Sequence, residues 1–221
     1  MSAETGQARH VVITGGIGAL GKALTRTAES AGYVVTSIDR IPAVDRKNHI
    51  GGIDLSDMPS VKAAMELAVG RHGGIFGLFN VSGAFQWRTI MEATSDLWLQ
   101  LFRDNCLSTL GACQAAAPYM KSGGVIVNIS AAAAMHADVG MAAYSASKAA
   151  VLRLSEALGK ELHGQGIKVQ CILPTTLDTP RNRSEMPDAD WSQWENLDDL
   201  SQQILNLAAN PSEMPGISER G

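Results

Sequence analysis

Short unbroken apolar runs alternate along this chain with longer stretches whose apolar positions recur every three or four residues. The first run is Val11-Val12-Ile13-Thr14, followed by glycines and a helical pattern over Ala19–Ala31 that Gly32 closes. Tyr33–Ile38 reads as a second strand, Met58–Arg71 as a helix with Pro59 in its first turn, and Ile75–Phe79 as a strand. Thr94–Met120 reads as one long helix with a Ser/Thr/Asp start, broken by Gly123-Gly124. Val125–Ile129 is a strand, Met141–His163 an alanine-rich helix, and Ile167–Leu173 a strand stopped by Pro174. Apolar residues fill successive positions of these strands, as in a parallel sheet covered on both faces. Strands separated by helices in this order predict a doubly wound α/β fold. No linker or repeat interrupts the pattern, so residues 1–221 read as a single domain with an irregular tail from Asn210.

Composition narrows the function classes. Apolar residues make up 45% of the 221 and charged residues 18%, enough to build a sizeable core. The net charge of −4 argues against nucleic acid or an anionic membrane as partner. No stretch reaches the roughly 18 apolar residues of a membrane span, and MSAETGQARH lacks the apolar run of a signal peptide. Cys106, Cys113 and Cys171 are odd in number and show no CxxC spacing, so neither a disulfide framework nor a metal site is expected. They read as small apolar core residues of a cytoplasmic protein.

Two short constellations carry chemistry. Thr14-Gly-Gly-Ile-Gly-Ala-Leu-Gly21 lies between a strand and a helix, with Gly16, Gly18 and Gly21 in GxGxxG spacing. Glycines there allow a tight turn, bring backbone N–H groups close to a pyrophosphate, and place it at the positive end of a helix. Asp39 ends the next strand, 18 residues beyond Gly21, where a carboxylate accepts from a ribose 2′-OH and repels a 2′-phosphate. NAD(H) is therefore the expected cofactor. Arg40 beside it is suited to a 2′-phosphate, which keeps NADP(H) open. The second constellation is Tyr144-Ser-Ala-Ser-Lys148, with phenol and ammonium one turn apart on a helix face. The lysine is expected to lower the phenol's pKa and so to make it a usable acid or base near neutrality.

Together these features resemble the short-chain dehydrogenase/reductase family, and the resemblance covers most of the chain. It implies a Rossmann-type sheet and an NAD(P)-dependent oxidoreductase acting on a small molecule. Asn80-Val-Ser-Gly83 is a variant of the family's Asn-Asn-Ala-Gly turn, which lines the adenine side and steadies the sheet. The family pattern gives cofactor contacts to Gly15, Gly16, Ile17, Gly18 and Gly21 in the first turn, and to Asn80, Ser82 and Gly83 in this one. Asp54, followed by Leu55, matches the adenine-contacting aspartate. Pro174 and Thr179 match residues on the nicotinamide side, and Asn105 matches the asparagine that supports proton transfer through the catalytic lysine.

One departure sharpens this reading. The family serine lies thirteen residues before the tyrosine, and here that position is Ala131. Either the neighbouring Ser130 takes the role, or activity is lost, or the substrate does not need that donor. The stretch Leu173–Trp194 resembles the dihydropteridine reductase branch, which also carries alanine there and reduces a flat conjugated ring. In this reading Tyr144 donates a proton, and Phe85 or Trp87 stacks on the ring or packs on a lid. The lid is residues 175–197, in which Trp191 and Trp194 serve as closing groups or as anchors. His136 lies near the entrance, either tuning binding or merely solvated. A carbonyl reductase or alcohol dehydrogenase, and a non-catalytic dinucleotide-binding protein, are the rival readings. The resemblance also implies a homo-oligomer, a dimer or tetramer. A dimer through the helices around Cys106–Pro118 and Tyr144–Leu158 is preferred, because the family's last strand would be short or absent here.

Overall fold

The computed structural model describes residues 8–42 and 48–210. Its centre is one six-stranded sheet: β1 (His10–Thr14), β2 (Val34–Ile38), β3 (His49–Ile50), β4 (Ile75–Asn80), β5 (Met120–Ile129) and β6 (Lys168–Ile172). The order is β3-β2-β1-β4-β5-β6 and every pairing is parallel. The chain winds outward from β1 to β3, then returns to β4 on the other side of β1. A crevice opens at the carboxyl ends of β1 and β4, where the winding reverses.

The unbroken apolar runs arise because both faces are covered. Along β1, Val11 and Ile13 join one core cluster and Val12 the other. The first cluster packs under α1 (Ala19–Ser30) and α7 (Leu197–Ala209). The second packs under α2 (Met58–His72) and α4 (Ser108–Ala116). The long helix α5 (Ala142–Leu162) covers β6, with Val151 and Leu152 against Cys171. On α1, Leu20, Ala23, Leu24 and Ala28 are buried, the three-and-four spacing of a helix with one covered face.

The stretch expected as a single helix from Thr94 is interrupted. Thr94 caps α3 (Ser95–Phe102) through its side chain, as its sequence position implies. A π-helical turn, Arg103–Leu107, then inserts an extra residue before α4. The helix ends at Ala116 and a 3₁₀ turn containing Pro118, not at Gly123-Gly124. Proline lacks the N–H and its ring clashes with the preceding turn. β5 then begins early because Met120 pairs with Ile75, ahead of a register irregularity.

Two further elements go beyond the sequence pattern. β3 is only two residues long, too short for any periodicity to show. α7 begins at Asn196, whose side chain accepts from the N–H groups of Asp198 and Asp199. Between β6 and α7, residues 175–197 are not structureless, since they contain α6 (Pro180–Glu185) and a 3₁₀ turn at Trp191–Gln193. Their base is pinched shut: Glu195 N–H donates to the Thr176 carbonyl, and Asp178 N–H donates to that of Glu195. The expected short or missing last strand falls in residues 211–221, outside the described residues.

Candidate active site

The glycine turn behaves as its spacing requires. Gly15 has φ +70°, and a Cβ built on it would lie 2.8 Å from Ser82 N and Cα. The first glycine turn and the 80–83 turn are therefore pressed together at the crevice. A Cβ on Gly16 would strike the Ser37 side chain, and one on Gly21 the Gly15 carbonyl. The start of α1 has no side-chain cap, unlike α2, α3, α6 and α7. Its first-turn N–H groups are thus left for an anion, which fits a dinucleotide pyrophosphate. Asp39 closes the turn from the side, accepting from Ile17 N–H and Ile41 N–H, both at 3.0 Å.

Arg40 reaches across the end of β2. Its guanidinium lies 2.9 Å from Asp104 and 3.6 Å from Asp54, and its pKa is raised chiefly by the Asp104 hydrogen bond. Asp54 is held below the usual carboxylate range, first by the N–H of Ser56. Leu55 is buried behind it.

The catalytic end is assembled around Gly83. A Cβ there would lie 2.7 Å from Asn105 Oδ1 and 3.2 Å from Lys148 Nζ, so only glycine lets both approach. Asn105 clasps the next residue, accepting from Ala84 N–H at 2.8 Å and donating to the Ala84 carbonyl at 3.0 Å. It also donates to Ser147 Oγ, which donates to the Tyr144 carbonyl. The π turn aims Asn105 inward, while its carbonyl accepts from Thr109 Oγ1. Lys148 is buried and donates to the Ile129 carbonyl at 2.9 Å. The Phe85 ring meets that of Tyr144 edge-on, centroids 4.9 Å apart. Trp87 packs on Gly140 and donates to the Val139 carbonyl, so it buttresses the loop before Tyr144.

Three sequence expectations need correction. Ser130 is buried and its only proton goes to the Lys148 carbonyl at 2.8 Å, which leaves no donor for a substrate oxygen. The Asn80 side chain lies inside the sheet and not on the cofactor side. It donates to Asn128 Oδ1 at 2.8 Å and accepts from Thr14 at 3.2 Å, in a buried chain that Asn128 continues to Ser155. Nor does Lys148 lower the Tyr144 phenol in this structure. Burial pushes Tyr144 up to about 12 and pulls Lys148 down to about 8. The ammonium lies 6.0 Å from the ring centroid and is committed to a backbone carbonyl.

A matching family model sets this geometry among known proteins. The model described as short chain dehydrogenase matches residues 9–190. The chain belongs to this family. Among its relatives, dihydropteridine reductase of Dictyostelium discoideum is 28% identical, over 94% of this chain and 90% of that protein. Meso-2,3-butanediol dehydrogenase of Serratia marcescens is 27% identical, over 94% and 84%. A Burkholderia cenocepacia short chain dehydrogenase solved in complex with NADP superposes with TM-score 0.84, at 23% identity over 96% of this chain and 95% of that one. Membership makes the chain an NAD(P)-dependent oxidoreductase.

Around this family core, Pro174 is buried at the end of β6 and its carbonyl accepts from Ala132 N–H. Thr179 caps α6, its hydroxyl accepting from Asn182 N–H. His136 is exposed. Trp191 donates to the Met186 carbonyl and lies under Arg183, which pairs with Asp178. The tryptophans thus anchor the 175–197 segment to itself. Ser147, which accepts from Asn105 and donates to the Tyr144 carbonyl, and Asp104, which pairs with Arg40, escaped sequence reasoning.

Proposed function

We propose that the protein is an NAD(H)-dependent reductase that delivers hydride to a small planar conjugated substrate, as dihydropteridine reductase does. The observation that carries this is the catalytic end without an oxyanion donor. Ala131 stands where a serine would serve, and Ser130 spends its proton on Lys148. A substrate carbonyl taking hydride becomes an alkoxide and needs that donor. A quinonoid dihydropterin becomes an electron-rich ring and needs only a proton.

The chain's own residues do the following. The α1 amides and the glycine turn hold the pyrophosphate, and Asp39 takes the ribose. The bound cofactor supplies the hydride. Tyr144, with its phenol held protonated by burial, releases a proton to the reduced substrate. The Lys148 ammonium, brought down to about 8 by burial, returns a proton to the phenolate and regains one from solvent, while Asn105 holds the Ala84 backbone and Ser147 in place beside it. Phe85 offers an apolar edge beside the reacting ring. Residues 175–197 form the lid over substrate and exclude water. Thr179 and Pro174 position the carboxamide side.

NAD(H) is favoured over NADP(H) by the carboxylates Asp39, Asp54 and Asp104 at the adenosine end. A homodimer through α3–α4 and α5 is supported by Trp98, Leu99 and Phe102, which expose apolar surface on α3, Leu99 at 66%. Three buried free cysteines suit a cytoplasmic location. The test is a substrate panel with NADH. Turnover of quinonoid dihydropterin with little turnover of ketones or vicinal diols is expected. The kinship with a diol dehydrogenase favours a carbonyl reductase or alcohol dehydrogenase as the second reading, which the opposite pattern would select.

A further inference from the structure

We infer that Asp104 is a specificity-determining residue, which excludes a 2′-phosphate by holding Arg40 away from the ribose. The inference rests on the proposed NAD(H) preference and deepens it.

Asp39 and Arg40 end β2 side by side. Asp39 turns toward the glycine turn and Arg40 turns away, to Asp104 on the π turn and Asp54 before α2. The pair is unequally exposed: the Asp104 side chain is 13% accessible and that of Arg40 62%. A carboxylate so far withdrawn from water requires a partner. Among the described residues Arg40 is the one cation bonded to it. Asp104 therefore fixes Arg40, and not the reverse.

The consequence is electrostatic. Among the described residues one guanidinium, Arg40, stands among three carboxylates, Asp39, Asp54 and Asp104, an excess of two negative charges. Ribose hydroxyls donate to carboxylates and tolerate this field, whereas a phosphate dianion is repelled. Among the described residues Arg40 is the guanidinium bonded at this end, a planar fork able to receive a phosphate, and Asp104 already occupies it. Asp104 also precedes Asn105, so the same ion pair ties the π turn of the catalytic end to β2.

Isothermal titration with NADH and NADPH tests this in the full chain. Wild type, Asp104→Asn and the double variant Asp104→Asn/Arg40→Met are compared. The single substitution should move the affinity ratio toward NADPH by about tenfold or more, mainly by tightening NADPH, near 1.4 kcal/mol. The double variant should lose that gain, because Arg40 is the group released. An unchanged ratio, or equal weakening of both cofactors, overturns the role. Asp104→Ser reads the same ratio should the amide variant not fold. Equal affinities in wild type would end the proposed NAD(H) preference alone, while the shift in Asp104→Asn still decides the role of Asp104.

Discussion

Lys148 stands one helical turn from Tyr144, yet its ammonium donates to the Ile129 carbonyl at 2.9 Å and lies 6.0 Å from the phenol ring centroid. Burial then sets both groups: it raises the phenol and lowers the ammonium. With the phenol raised by burial, Tyr144 keeps its proton at neutral pH.

Stability should therefore depend on pH through Lys148. Its folded pKa is about 8 and the ordinary value is 10.5, so burial penalises the charged form. Below pH 8 both states hold the proton and the penalty is full. Between about 8 and 10.5 this lysine binds more protons in the unfolded chain than in the native one, so its own contribution to stability rises with pH. The buried thiols Cys113 and Cys171, raised by burial to about 12 and about 11, act in the opposite sense over the same range. Urea denaturation at pH 7, 8.5 and 9.5 therefore reads the Lys148 contribution as a difference: wild type should gain stability relative to Lys148→Met as pH rises, and a constant difference would remove it.

Gly83→Ala should separate catalysis from folding. The added methyl would sit 2.7 Å from Asn105 Oδ1 and 3.2 Å from Lys148 Nζ, displacing both. Misplacing a positioned group costs on the order of 10²-fold in turnover. Circular dichroism should stay native while kcat falls; an unaffected kcat would remove the tight approach from the account.

Asn80→Ala should cost stability first. It strips Asn128 of a buried donor and Thr14 of an acceptor, a loss of about 1–3 kcal/mol. Chemical denaturation measures it directly.

Glu195→Ala should loosen the 175–197 segment. The Glu195 carboxylate accepts from Thr175 N–H, next to the backbone pairing that pinches the segment's base. Faster limited proteolysis within 175–197 and a raised KM are expected, together with a weaker cofactor-dependent change in tryptophan fluorescence from Trp191 and Trp194.

What the sequence disclosed follows from the kinds of signal physics leaves in it. The strands were legible because Val11, Val12 and Ile13 must all be apolar when both faces are covered. The glycine turn was legible because Gly15, Gly16 and Gly21 sit where a Cβ meets other atoms. The π turn at Arg103–Leu107 was not, since one inserted residue barely alters a helical pattern. Burial was equally hidden. The i, i+4 spacing places Tyr144 beside Lys148 but says nothing of the Ile129 carbonyl that draws the ammonium away. The family pattern of the 80–83 turn implies a cofactor contact for Asn80, while the strand directs its side chain to Asn128 and Thr14. α7 left a usable trace, with Asn196 as cap and Leu197, Leu200 and Ile204 on one face.

The central claim is that Tyr144 donates the proton. Pre-steady-state reduction of quinonoid dihydropterin by NADH, in wild type and Tyr144→Phe at matched cofactor saturation, tests it most directly. Removing one general acid should slow the chemical step by about 10²–10⁴-fold while NADH still binds. Equal rates in the two proteins would contradict the account.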